Sequence, residues 1–171
     1  DQHLVASPSS YNVLLGYQAG NKIVQYGVQN IAIGREAGQG DSNKTIAIGT
    51  FAAKQFKYAK VGNLGIGYYA LSCGGGTYGF TLANGEYNVA LGYEAGRNIC
   101  HGIGNTMLGS FAGRNLGGYN AGGDGNIVIG YYAGYNQTTG DGNITIGSGS
   151  LGVAGESNQL RIGHADLITI S

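Results

Sequence analysis

One nine-residue block recurs nine times and constrains this chain more than any other feature: Asn, two residues, an aliphatic, Gly, two residues, Ala and usually a further Gly. The copies open as Asn12-Val-Leu-Leu-Gly16, Asn30-Ile-Ala-Ile-Gly34, Thr45-Ile-Ala-Ile-Gly49, Asn63-Leu-Gly-Ile-Gly67 and Asn88-Val-Ala-Leu-Gly92. Asn105-Thr-Met-Leu-Gly109, Asn126-Ile-Val-Ile-Gly130, Asn143-Ile-Thr-Ile-Gly147 and Gln159-Leu-Arg-Ile-Gly163 complete the set. Successive repeat glycines lie 15 to 25 residues apart. Self-similarity at such a period is the signature of stacked units, each too small to bury a core alone.

Three consecutive aliphatic or β-branched residues favour a strand and are too few for a helix. The Asn before and the Gly after tolerate positive φ, so turns bound the strand on both sides. Frequent glycine also opposes helix, at about 1 kcal/mol per residue relative to Ala. A step of about 16 residues holds two short strands and two turns, one coil of a solenoid whose strands stack about 4.8 Å apart. The predicted fold is therefore all-β, a parallel β-solenoid of about nine coils and roughly 40 Å. Residues 1–10 form a lead-in, 11–163 the repeat region and 164–171 a C-terminal strand or cap, where Leu167-Ile-Thr-Ile-Ser171 alternates like a strand.

Alternation puts the first and third strand residues, such as Val13 and Leu15 or Ile127 and Ile129, on one face, which we assign to the coil interior. The middle residue is mostly small or apolar (Leu14, Ala32, Ala47, Gly65, Ala90, Met107, Val128, Thr145, Arg161), which is unusual for a position facing water. The Ala three residues after the glycine (Ala19, Ala37, Ala52, Ala70, Ala95, Ala112, Ala133) suits a tight corner. Apolar residues on both faces of so thin a coil predict a parallel homotrimer, with Ala32, Ala47, Gly65 and Ala90 letting three coils approach closely.

Composition closes off other classes. The chain has 35 Gly but only 1 Pro, without the period of three that collagen needs. With 42% hydrophobic residues and zero formal net charge it is not a disordered linker. That neutral balance offers no cationic footprint for nucleic acid. No apolar run approaches the roughly 20 residues of a membrane span, so no membrane insertion is expected. Two cysteines, Cys73 and Cys100, are too few for a disulfide framework; a bridge and two free thiols both fit, and we favour free thiols.

The Asn-x-x-Ile-Gly-x-x-Ala-Gly block resembles the left-handed parallel β-roll of trimeric autotransporter adhesin heads. It is more similar still to the repeat region of bacteriophage tail fibres, whose irregular linkers look like Tyr135-Asn-Gln-Thr-Thr-Gly-Asp-Gly142. Ser157-Asn-Gln-Leu-Arg-Ile-Gly163 resembles the segment upstream of the self-cleaving intramolecular chaperone of tail fibres and endosialidase tailspikes. The resemblance covers Tyr11 to Gly163. It implies a left-handed β-roll in a homotrimer, acting in the virion as a structural and host-attachment segment. The alternative is an adhesin head on the bacterial cell surface. It also implies that the gene continues past Ser171 into a chaperone, in keeping with a chain that opens on Asp1 rather than Met. Spacing less regular than in adhesin heads, and the charge of Arg161, depart from the pattern.

No catalytic constellation is present, and we expect no enzyme and no cofactor. His3, His101 and His164 lack paired metal spacing, and we favour a hydrogen-bonded turn role for His164 over a metal on a threefold axis. Gly65-Ile-Gly67-Tyr-Tyr-Ala70 matches a dinucleotide fingerprint only superficially, because no helix or acidic partner supports it. A Gly-acid-x-Asn tetrad (Gly40, Gly85, Gly123, Gly140, Gly155) reads as a turn whose acid caps backbone N–H groups rather than as a calcium site. Hexapeptide acyltransferases need a six-residue step, and ice binding needs threonine rows where only Thr106 and Thr145 stand.

Aromatic residues supply the binding candidates. Tyr17, Tyr68, Tyr93 and Tyr131 follow the repeat glycine, and Phe51, Tyr69, Phe111 and Tyr132 come one later, so they stack into ladders that we read chiefly as stiffening. The two longest steps, 25 and 21 residues, contain insertions with Tyr78, Phe80, Tyr119 and Asn120. Two readings stand side by side: tolerated surface lengthening, or loops on a rigid scaffold in which these four residues contact a cell-surface glycan or other receptor.

Overall fold

The computed structural model describes residues 4–7, 11–21, 27–39, 42–54, 60–73, 85–117, 122–163 and 169–170. Its strands are β1 (Leu4–Ser7), β2 (Asn12–Leu15), β3 (Ile31–Ile33), β4 (Ser42–Asn43), β5 (Ile46–Ile48), β6 (Lys60–Val61) and β7 (Leu64–Ile66). They continue as β8 (Val89–Leu91), β9 (Thr106–Leu108), β10 (Ile127–Ile129), β11 (Ile144–Ile146), β12 (Leu160–Ile162) and β13 (Thr169–Ile170). The chain is an all-β solenoid. All nine repeat blocks supply a strand to one parallel sheet, and the winding amounts to about 7 turns rather than the nine coils expected. Register is exact in repeat terms: Ala32 pairs with Ala47, Met107 with Val128, and Val128 with Thr145. β1 and β13 close the two ends of this sheet antiparallel. A second, short ladder joins β4 to β6, and a single bridge joins Glu86 to Ile103. Among the described residues no helix is long and apolar enough to cross a membrane.

The interior is the reverse of the one read from alternation. The middle residues Ala32, Ala47, Ala90, Met107, Val128 and Thr145 are fully enclosed, whereas the first and third residues of every block lie half-buried or exposed on the outer face. The cause is the block's leading Asn. Its side chain is buried, so the pleat runs Asn in, first residue out, middle residue in, third residue out. A one-residue change of parity turns every side chain over.

The buried Asn residues clasp one coil to the next. Asn88 Oδ1 accepts both the backbone N–H and the Nδ2–H of Asn105, each at 3.0 Å, while its own Nδ2 donates to Gly102 O at 2.7 Å. Asn105 repeats this on Asn126 and Gly123 O, and Asn126 on Asn143 and Gly140 O. Each amide thus grips the last turn of the following coil at both ends and satisfies backbone groups that no strand reaches. Thr45 interrupts the ladder: its backbone N–H donates to Asn30 Oδ1, but its hydroxyl turns back to Asn43 O.

In several coils the inward middle residue exchanges volume with the one after the block's Ala. Ala32 with Gly38 and Ala90 with Gly96 instead pair small with small, and Met107 and Leu71 of the adjacent coils reach over Gly96. Leu14 faces Gly20, Ala47 is matched by Ala53, Gly65 by Leu71, Met107 by Gly113 and Val128 by Gly134. A Cβ on Gly20 would meet Leu14 Cδ2 at 2.5 Å, and one on Gly134 would meet Val128 Cγ1 at 2.8 Å. Ile99 and Leu116 fill a further inward column that the repeat pattern did not disclose. Gln137 continues it as the interior turns polar, bonding Thr145 Oγ1 at 3.3 Å. Arg161 is likewise buried, paired with Glu156. The small middle residues therefore serve the inside of one coil and not an approach between chains.

The repeat glycines have φ between 122° and 139°. A Cβ on Gly109 would also lie 2.8 Å from the carbonyl carbon and oxygen of Gly130, backbone atoms that cannot retreat. A Cβ on Gly104, at φ 69°, would meet nothing within 4 Å. We predict that Gly109→Ala costs more than about 3 kcal/mol and Gly104→Ala only about 1 kcal/mol, measured by chemical denaturation. Equal costs would contradict the stacking of glycine on glycine.

Candidate functional site

The surface chemistry gathers on the turn after each repeat glycine. Two interrupted aromatic columns run along it and together give one run of ring contacts from Phe51 to Tyr135, whereas Tyr17 meets the Arg35 guanidinium at 6.0 Å. Tyr68 and Tyr93 stack at 5.2 Å with 16° between planes, and Phe111 stacks on Tyr132 at 4.5 Å. Edge contacts tie the columns together, as in Tyr68–Tyr69 at 4.6 Å and Tyr131–Tyr132 at 4.6 Å. Tyr93–Phe111, at 5.2 Å, joins the two halves of the run. In the stacked pairs the ring faces are turned toward one another along the rod, where a pyranose cannot lie on them. That geometry stiffens the stack, in keeping with the structural reading of the ladder. Phe51, Tyr69, Phe111 and Tyr132 hold φ between 54° and 62°, a conformation bulky residues seldom adopt, so the ring contacts help offset a local backbone cost.

Cations line the same stripe, and each is matched. Lys54 sits 4.5 Å above Phe51 and donates to Glu36 at 2.6 Å. Arg97 lies 4.6 Å over Tyr69 and donates to Glu94 at 2.8 Å, while Arg114 donates to the other oxygen of Glu94 at 2.6 Å. Burial works to raise the Glu94 carboxyl, but the hydrogen bonds from Arg114 and Arg97 outweigh it and hold the group below its ordinary range. For Glu36 the bond from Lys54 dominates and lowers the carboxyl in the same way. Asn98 and Asn115 extend the network, with Asn98 Nδ2 donating to Asn115 Oδ1 at 3.0 Å.

The opposite corner carries the acids. Asp124 Oδ1 accepts the Ile103 N–H and Asp141 Oδ1 the Asp124 N–H, both at 2.8 Å, and Ser157 Oγ accepts the Asp141 N–H at 3.0 Å. Capping thus reaches back to the preceding coil rather than within one turn. The Gly155 tetrad is offset from this column by one residue and the Gly40 tetrad by two, so Ser157 and Asn43 stand there instead. Thr145 is enclosed, so no outward threonine row exists on the described sheet. Among the described residues no group of three His, Cys, Asp or Glu side chains is placed to hold a metal ion.

Tyr78, Phe80, Tyr119 and Asn120 lie outside the described residues, as do His3 and His164. The stems of both insertions are described. Gly85 N–H donates to Cys100 O, and Cys100 N–H to Gly117 O, both at 3.1 Å. The insertions therefore leave the same side of the stack, to either side of Ile99–His101. Cys73 and Cys100 form a disulfide, contrary to the preference for free thiols. The signal was present in the spacing: Cys73 is six residues past Gly67 and Cys100 eight past Gly92, nearly equivalent points of successive coils.

Compared with known proteins, the chain matches no family model, no curated protein and no solved structure.

A carboxyl held low by folding contributes stability above its unfolded value, and that contribution is lost as pH falls through the folded one. The melting midpoint is therefore expected to drop as pH falls below 4.5, the value the two acids relax to on unfolding. Glu94→Gln should flatten that acid limb and cost about 2 kcal/mol at neutral pH by leaving Arg97 and Arg114 short of a charged acceptor. An unchanged acid limb in this variant would show that the network does not couple to folding.

Proposed function

We propose that this chain is a non-catalytic segment of an extracellular fibre, a left-handed β-roll that assembles as a parallel homotrimer and carries receptor-binding loops. The observation behind this reading is the outer face of the nine-strand sheet. Val13, Leu15, Ile66, Ile127 and Ile162 are each 38–43% exposed there, within two unbroken rows of mostly aliphatic residues that no described part of the chain covers. A contiguous apolar face on a soluble protein marks an interaction surface, and nine strands about 4.8 Å apart carry these rows for roughly 40 Å. Identical chains in parallel register would cover it row against row. The trimer argument thus moves from the small middle residues, which are inside, to the large outward ones.

The reading fits a tail fibre of the virion, attached to a host cell-surface glycan or another receptor through Tyr78, Phe80, Tyr119 and Asn120. One observation favours the second reading, a bacterial adhesin head: the Cys73–Cys100 disulfide. Phage fibres assemble in a reducing cytoplasm, whereas an adhesin is exported through an oxidising compartment where disulfides persist.

Light scattering should give three times the 17.5 kDa of one chain. Ile66→Lys with Ile127→Lys should return the mass to a single folded chain, since both side chains already face outward. A monomer for the unaltered protein would sink the assembly. Replacing Tyr78 and Tyr119 by Ala should abolish attachment to host cells while leaving the trimer intact; undiminished attachment would move recognition elsewhere on the fibre.

A further inference from the structure

We infer that Cys73 and Cys100 form a redox clamp, closed after the strand stack has folded by exchange entered through Cys100, which governs local opening beside the longest insertion but not the fold. At this point the backbone ladder runs short. Leu71 N–H reaches Ala95 O in the next coil at 3.0 Å and Ser72 N–H turns back to Tyr69 O at 3.3 Å, as Gly96 and Arg97 do one coil on, but among the described residues Cys73 N–H makes no onward backbone bond. In the following coils the same stretch continues to bond onward, Asn98 N–H to Arg114 O at 2.9 Å and Cys100 N–H to Gly117 O at 3.1 Å. The disulfide stands where that next bond is missing. Beneath it lie the enclosed Leu71, Ile99 and Leu116, and beside it the buried Ser72 hydroxyl, which has no hydrogen-bond partner.

Strand pairing passes alongside without using either cysteine: Leu64, Gly65 and Ile66 pair with Val89, Ala90 and Leu91 whatever the sulfur state. The two thiols differ in access, since Cys73 is 7% exposed and Cys100 is half-buried. Exchange with a small-molecule disulfide such as oxidised glutathione then has a definite order. The Cys100 thiolate attacks the disulfide, forms a mixed disulfide and releases one small thiol. The Cys73 thiolate next attacks Cys100 Sγ, forms the protein disulfide and releases the second. Two protein thiols and one small disulfide become one protein disulfide and two small thiols, with no other oxidant.

The test uses the full chain, reduced by a dithiol and then exposed to limiting oxidised glutathione. Reduction should leave the β-sheet circular dichroism unchanged and lower the melting midpoint by about 10 °C. It should speed amide exchange at Gly85 and Cys100 at least tenfold, with Ile127 and Ile144 unmoved. The Cys73→Ala, Cys100→Ala double variant should behave as the reduced chain under either condition. Cys73→Ser should capture one glutathione at Cys100 at least tenfold faster than Cys100→Ser captures it at Cys73. Loss of the sheet on reduction, unchanged exchange at Gly85 and Cys100, a double variant that melts with the oxidised chain, or equal capture by the two single variants would each overturn the proposal.

Discussion

The hydrogen-bonded Asn ladder is the interaction on which the rest of this structure depends. An amide buried at the head of each strand could not survive unsatisfied, because an orphaned buried donor or acceptor costs about 1–3 kcal/mol. Here Asn63, Asn88, Asn105 and Asn126 each spend their oxygen on the next coil's backbone and side-chain N–H, and their nitrogen on a carbonyl three residues earlier in that coil. Coil pitch, strand register and strand parity all follow from this clasp. Glycine then becomes obligatory at the other end of the strand, where the coils stack backbone on backbone.

Parity has a consequence beyond one chain. Turning only the middle residue of each three-residue strand run inward leaves the first and third, mostly large aliphatics, to face outward. The protein thereby carries a hydrogen-bonded scaffold and an outer sheet face that no described residue covers. The opposite specialisation holds at the two corners, where stacked rings with matched ion pairs line one turn and carboxylates capping the preceding coil line the other. A chain of zero net charge is in this way strongly patterned around its circumference.

Much of this was legible in the sequence. The nine blocks predicted nine strands, their turns and their parallel stacking, because Asn, Gly and short aliphatic runs act locally. What was not legible was which face of the strand is inside. Alternation of residues such as Ile127, Val128 and Ile129 defines two faces but does not say which is buried, and large residues are ordinarily inside. Only the burial of Asn126, read locally as a turn residue, breaks that tie. Volume exchange between Gly65 and Leu71, or Val128 and Gly134, was visible in the sequence but has meaning only once the middle position is known to face inward. The Cys73–Cys100 pair was open to reading in the same way, by counting each cysteine from its own repeat glycine and not along the chain.

The ladder can be observed directly. Trans-hydrogen-bond scalar couplings in a deuterated, isotope-labelled sample connect an amide nitrogen to the carbon of the carbonyl that accepts its proton. The backbone nitrogens of Asn105, Asn126 and Asn143 should each couple to the side-chain Cγ of the Asn one coil earlier, namely Asn88, Asn105 and Asn126. Couplings from those amides to backbone carbonyl carbons instead, or amides that exchange with solvent as freely as an exposed turn, would contradict the account.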